Sequence, residues 1–404
     1  MTTATPSGLT ASSPSPTAAT EPALPERVRT TSLALAALAL GHLAVDSCTG
    51  IWPVFKTLAG LDLAQAGMIA TTGGVLGNAL QLAFGRLADS GHRRKLLVAG
   101  VLAASAALWV GLTRSFWVHA ALILLTSIGS AAFHPSGAGA AGRLTQSRQG
   151  LMVAGFLAGG YIGFAFSQLA FTAAYRLAPV APLLLALLPV TAAGALFFLI
   201  SPASEEPRHG AGAAPILWSR LLPLLTVQLL TTALGLSLIF LLPDLMMARG
   251  APAVLVAGGG HAVYVLGGAL SLLPGGILAD RLGTRTLLLA VNTASIVLLA
   301  ALLGTPPSPA VSLVLVALFG FFNGVNNVTI VAEGNRIMPT RASAASSLLM
   351  GLPWCIAALA PSLAGALAEP SHGGTPDRAL SWMALSLPVT LLVSTTLPKR
   401  GAAR

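Results

Sequence analysis

His42 and Asp46 lie four residues apart in a run dominated by Ala, Leu and Val. On a helix that spacing puts both side chains on one face. An ionisable pair inside an apolar segment is costly, which favours function over a structural hydrogen bond to a neighbouring helix. The carboxylate can load and release a proton, and the imidazole can tune or relay it. His134 stands between Phe133 and Pro135 in another apolar run. Two readings of it carry equal weight. It contacts solute or proton from a helix kinked by the proline, or it is a packed histidine bonded to the carbonyl that the proline frees.

Other polar residues fall in apolar runs. Tyr161 and Gln168, seven apart on one face, line a cavity or hold helices together. Asn323, Asn326 and Asn327 form a polar stripe that could contact solute, with Glu333 further along. Glu333 is expected to pair with Arg336 as a structural or gate contact. His261 has no helical partner and reads as a packing residue, and Asp244, after Pro243, as a helix-end charge near the outer surface. No nucleophile constellation, metal-ligand spacing or phosphate loop stands out, so neither an enzyme, a bound metal or cofactor, nor ATP as power source is expected.

The elements that hold these residues follow from composition. Of 404 residues, 55% are hydrophobic and only 8% charged. Soluble proteins carry roughly 25% charged residues, so this chain belongs in a bilayer, where helices can be apolar all round. The 43 glycines let such helices approach closely. A ruler of roughly 20 apolar residues per crossing predicts twelve spans. Spans 1 to 6 cover 33–56, 64–87, 96–113, 116–142, 151–174 and 179–200, and spans 7 to 12 cover 219–246, 254–278, 286–304, 309–337, 342–367 and 379–397. The expected organisation is a disordered cytoplasmic tail (1–32), a six-helix bundle (33–200), a cytoplasmic linker (201–218), a second bundle (219–397) and a short cytoplasmic tail (398–404). The Pro-, Ser- and Ala-rich first 30 residues lack the basic start of a cleavable signal peptide.

The net charge of +10 is spread over short loops rather than gathered on one face, so it sets membrane orientation and does not imply nucleic acid. With the N-terminus in the cytoplasm, 17 Lys and Arg fall on the cytoplasmic side and 5 opposite. That asymmetry predicts a multi-pass protein of a bacterial-type inner membrane with both termini inside. Cys48 and Cys355 read as buried small hydrophobes, and Trp52, Trp109, Trp117 and Trp382 as an interfacial belt.

The halves repeat. Val75–Leu80 recurs as Val265–Leu270, Pro53 as Pro243, and Gly85-Arg86-Leu87-Ala88-Asp89 as Gly276-Ile277-Leu278-Ala279-Asp280, all near one offset. Two similar bundles around a midplane site is a transporter plan. In the repeated loops the glycine permits a tight turn, and the aspartate can cap the next helix and pair with nearby arginines. The second copy, Gly276 through Asp280, Arg281, Gly283 and Arg285, resembles the G-x-L-A-D-R-x-G-x-R/K loop of the major facilitator superfamily at every fixed position. The first copy, with Gly85, Asp89, Arg93 and Arg94, is similar through Asp89 and then reads Ser90-Gly91-His92. The resemblance implies an all-α fold of two pseudo-symmetric six-helix bundles, with spans 1, 4, 7 and 10 lining the cavity and these loops latching the cytoplasmic gate. Gly41-His42, Asp46, Gly50 and Pro53 on span 1, and Ala131 through Gly137 on span 4, further resemble the fosmidomycin-resistance type of exporter. Gly155, Gly159, Gly160 and Gly163 on span 5 are similar to the antiporter motif of drug exporters without its proline.

No Lys or Arg falls mid-span, which argues against a phosphate ester and for a neutral, cationic or amphipathic solute. The expectation is a monomeric secondary transporter working by alternating access, with proton-coupled efflux through Asp46 and His42. The alternatives are an importer or facilitator of a neutral metabolite, and a non-transporting sensor or assembly protein on the same fold.

Overall fold

The computed structural model describes Met1 and residues 24–145, 148–200, 217–304, 308–338 and 342–399. Most of the tail expected over 1–32, most of the linker expected over 201–218, and residues 400–404 lie outside the described residues.

Apolar composition sets the element type, because backbone groups in lipid must be satisfied within the segment. The described secondary structure is accordingly helical throughout. Span 1 starts earlier than expected: its helix begins at Leu24, inside the segment read as tail, with Pro25 in the first turn where its missing N–H is harmless. It bends after Thr49 and continues as Trp52–Leu58.

One apolar run, Leu63–Leu112, is 50 residues long. At about 1.5 Å per residue it would reach roughly 75 Å, more than twice a hydrocarbon core of roughly 30 Å. It is two spans, broken where Ser90 and Gly91 leave helical geometry, Gly91 at φ 93°. Spans 2 and 3 are therefore Leu63–Leu87 and Arg93–Ala104 extended by Ser105–Leu112. Spans 4 to 7 are Phe116–Ala141, Leu151–Leu177, Ala181–Leu199 and Trp218–Ala248. Span 8 is bent by 44° between Leu255–Leu270 and Leu272–Leu282. Spans 9 to 12 are Thr284–Gly304, Pro309–Ile337, Leu348–Ala368 and Pro376–Thr395. Twelve crossings thus stand among the described residues, close to the bounds expected from sequence.

Packing divides them into two halves of matching plan. In the first, span 1 packs on 5 and 6, and span 4 on 2 and 3. In the second, span 7 packs on 11 and 12, and span 10 on 8 and 9. The halves meet through spans 2 and 11 and through 5 and 8, pairs that the duplication exchanges. Close approach depends on glycine: a β-carbon on Gly159 or Gly163 of span 5 would lie 2.2 Å from the carbonyl of Ala39 or Leu43 on span 1. Apolar side chains such as Leu177, Phe198 and Leu273 cover the outside, as a lipid-facing surface requires. Trp109, Trp117 and Trp382 join that surface, whereas Trp52 is buried and donates its indole N–H to the Ala66 carbonyl at 2.9 Å. Trp52 fastens span 1 to span 2 and does not belong to the belt.

Candidate functional site

Asp46 is the centre of a cluster built from two spans. Its Oδ2 lies 3.3 Å from His42 Nε2 and its Oδ1 lies 3.2 Å from His134 Nε2. The shared helix face explains the first contact. The second needs span 4 to cross span 1 at this level, where the two imidazoles stand 4.9 Å apart, edge to face. His42 is buried, while Asp46 and His134 keep 17% and 29% of their side-chain surface accessible.

Each histidine is held from behind. His42 Nδ1 lies 2.8 Å from the Phe156 carbonyl, and His134 Nδ1 lies 2.8 Å from that of Ser130, with the Ser130 hydroxyl at 3.1 Å. His134 is bonded to a backbone carbonyl, but to that of Ser130 and not to the Ala131 carbonyl that Pro135 frees. A carbonyl oxygen only accepts, so each Nδ1 carries the hydrogen. Each Nε2 then faces an Asp46 oxygen, and two bare lone pairs would repel. The geometry requires a hydrogen in each Nε2–Oδ gap, or a cation among the three groups.

Span 5 shapes the site. The Phe156 ring stacks on His42 at 4.1 Å. A β-carbon on Gly160 would lie 2.3 Å from His42 Nε2, so this glycine of the antiporter-like motif is what leaves room for the imidazole. We expect Gly160→Ala to displace His42 and to cost about 1–3 kcal/mol of stability through overpacking. Gly194→Ala is the control, since a methyl there meets nothing within 4 Å. Thermal unfolding in detergent should show a clear fall for the first and none for the second.

The other expected lining residues divide. Tyr161 is partly open. Asn323 donates to the Tyr264 hydroxyl at 2.7 Å, and Asn327 accepts from Gln228 of span 7 at 3.2 Å. Phe133 is fully buried and packs on His42 and Phe156, so it belongs to the first half's core and not to a cavity wall. Asn326 turns to span 9 and exchanges hydrogen bonds with Asn292 at 3.0 and 3.2 Å, which leaves it in the packing of the second half. Gln168 is buried against Gly258 of span 8, between the halves. Beside it His261 Nε2 lies 2.8 Å from the Phe164 carbonyl, a cross-half bond not foreseen for a packing histidine.

The repeated loops stand at the end of the bundle that carries most of the basic residues. Asp89 pairs with Arg93 at 3.0 Å and Arg143 at 3.1 Å. Asp280 pairs with Arg336, whose guanidinium also meets Glu333 at 3.1 Å. Thr284 donates to Glu333 at 2.6 Å. Each aspartate thus engages the end of its own fourth-position span, 4 or 10. The loops' other arginines point elsewhere: Arg94 lies over the Phe197 ring, Arg285 donates to the Leu397 carbonyl and Arg281 is exposed. The displaced glycine of the first copy has the role of Gly283, since Gly91 and Gly283 both take positive φ, 93° and 80°. Gly85 and Gly276 meet only distant neighbours, at 3.7 and 3.9 Å.

At the opposite end the halves are closed upon each other. Lys56 of span 1, fully buried, pairs with Asp244 of span 7, which also accepts from the Thr57 hydroxyl at 2.8 Å. Glu369, after span 11, accepts from the Leu63 amide of span 2 at 2.7 Å. Asp244 is therefore a buried cross-half partner and not a helix-end charge. The ion pairs of the repeated-loop aspartates stay within their own halves, whereas Lys56–Asp244 and Leu63–Glu369 tie the two halves together at this far end. A 400 Å³ depression lined by Ser47, Cys48 and Leu187, among mostly apolar residues, lies on the first half.

A twelve-span protein of two duplicated halves, with a polar cluster at mid-depth and one end closed, is a secondary-transporter fold. The chain belongs to the Major Facilitator Superfamily, whose sequence profile it matches over residues 33–361. Among solved structures it is similar to a bacterial homolog of the human lysosomal transporter Spinster in an inward-facing, unoccupied conformation. The two share 14% identity at a TM-score of 0.73, over 93% of this chain and 98% of that one. It is similar likewise to the nucleoside transporter NupG, at 14% identity and a TM-score of 0.73, over 91% of this chain and 99% of that one. No curated protein matches the chain.

Proposed function

We propose that the chain is a secondary active transporter that moves a small neutral, cationic or amphipathic solute by alternating access, exporting it in exchange for protons. The observation that supports this reading is the His42–Asp46–His134 cluster, a part-accessible carboxylate at mid-depth between two imidazoles that are held from behind. Under the positive-inside rule the basic end is cytoplasmic. The arrangement of contacts is then that of an inward-facing state, with Lys56–Asp244 closing the outer side. Rocking of the halves would release that pair and bring the two repeated loops together. The fosmidomycin-resistance likeness of spans 1 and 4 supports export, and the two histidines in that likeness are the ones that face Asp46.

The test starts from a ligand found by a thermal-stability screen of the purified protein against drugs and metabolites. Its flux in proteoliposomes is then followed under imposed pH gradients of both signs. Antiport predicts that net flux reverses when the gradient reverses. Equal flux under both signs would leave facilitation as the mechanism and end the proposal of coupling.

A further inference from the structure

We infer that the His42–Asp46–His134 cluster is a binding site for a divalent first-row transition-metal ion, and that this ion is the transporter's cargo. The second part rests on the transport reading; the binding site does not. The ligand atoms, two imidazole nitrogens and a carboxylate oxygen, all lie within 4.8 Å of one another. The two contacts to Asp46 run to its two oxygens, Oδ2 at 3.3 Å from His42 and Oδ1 at 3.2 Å from His134, so the carboxylate stands between the two imidazole lone pairs.

Orientation supports the assignment more strongly than proximity. Histidines that ligate a metal donate their other ring N–H to a carbonyl or carboxylate, which fixes the tautomer and aims a lone pair at the ion. Both histidines here do so, His42 to Phe156 and His134 to Ser130, each at 2.8 Å. Packing against Phe156, and the space left at Gly160, hold the His42 ring in that pose. Three protein ligands leave a fourth position open, as suits an ion that must enter and leave. Two nitrogens and one carboxylate favour zinc, cobalt, nickel or iron over magnesium or calcium, which prefer all-oxygen sites. The charge also fits. The cluster needs a hydrogen in each Nε2–Oδ gap, or one dication in their place, so metal and protons compete for the same atoms. The one buried lysine of span 1, Lys56, is matched by Asp244 and does not oppose a cation.

Sequence spacing hid this site, because His42 and Asp46 share span 1 and His134 lies on span 4. The experiment is a titration of the full-length protein in detergent with Co²⁺, read by its visible absorption bands. The expected result is one saturable site per chain, with bands of low coordination number. Replacing His134, which is part-exposed, by Gln should weaken binding by about 100-fold or more. His261→Gln, at the buried histidine between the halves, should leave it unchanged. Absence of a saturable Co²⁺ site in the folded wild type, or equal binding by His134→Gln, overturns the assignment. Co²⁺ uptake into proteoliposomes then tests the cargo: a bound ion that never crosses overturns that part. If Co²⁺ does not bind while another solute still moves against protons, the metal inference fails alone. If Co²⁺ binds but nothing is transported, the transport reading fails and the site stands.

Discussion

Asp46→Asn is expected to abolish proton-driven transport while leaving a folded protein. Asparagine keeps the shape of the side chain but cannot share a proton with His42 or His134, and its amide nitrogen cannot accept one. Flux driven by a pH gradient should fall by at least an order of magnitude, because the group that couples the two movements is gone. Exchange of solute for solute needs no net proton movement, so it should persist for a solute that does not bind at the cluster and be lost for a metal ion that does. His134→Gln leaves the buried His42–Asp46 contact in place and should show the weaker defect. Proteoliposome assays of both variants, with and without the gradient, read the difference. Unchanged coupling in Asp46→Asn would remove the proton role from this cluster.

The second large effect is expected at the closed end. Lys56 is fully buried against Asp244, with Thr57 adding a hydrogen bond to the same carboxylate. Removing one member of such a pair leaves an uncompensated charge, at a cost of about 3–5 kcal/mol. Because the pair ties one half to the other, that cost falls on the state described here and not on the opposite one. Lys56→Met should therefore lower the melting temperature in detergent and shift the population away from closure at this end. Pairing it with Asp244→Asn removes the orphaned charge and should recover most of the loss, and a double-mutant cycle measures the coupling. Simple additivity of the two losses would show that the contact does not hold the halves together.

How much of this was legible in the sequence depends on the range of the contact. The spans follow from apolar run length, and the His42–Asp46 pair from helical spacing. Glu333 with Arg336, three residues apart, was legible for the same reason, and its geometry agrees at 3.1 Å. His134 could be flagged by type and by its proline, but its partner could not be named until span 4 was laid across span 1. Phe133 and Asn326 were placed on the wrong surface because periodicity shows which residues share a face, not which neighbour that face meets. The Lys56–Asp244 pair was missed because each member alone looks like an ordinary charge at a span end. Their shared signal was position: Lys56 follows Pro53 and Asp244 follows Pro243, the repeated prolines of the two halves. Gly160 was noticed as part of a motif, yet its role, making room for His42, exists only between spans.

The most direct test of the central claim follows the two ends of the bundle at once. Spin labels would be placed in a Cys48- and Cys355-free background. One pair sits at Leu61 and His372, on loops at the closed end, and a second pair sits at exposed positions on the two repeated loops. Distances between labels are recorded in bilayers under acid and alkaline conditions. Two populations are expected whose distances change in opposite senses, one end lengthening as the other shortens, with a shift in their balance that Asp46→Asn abolishes. A single population under all conditions, or both ends moving in the same sense, would contradict it.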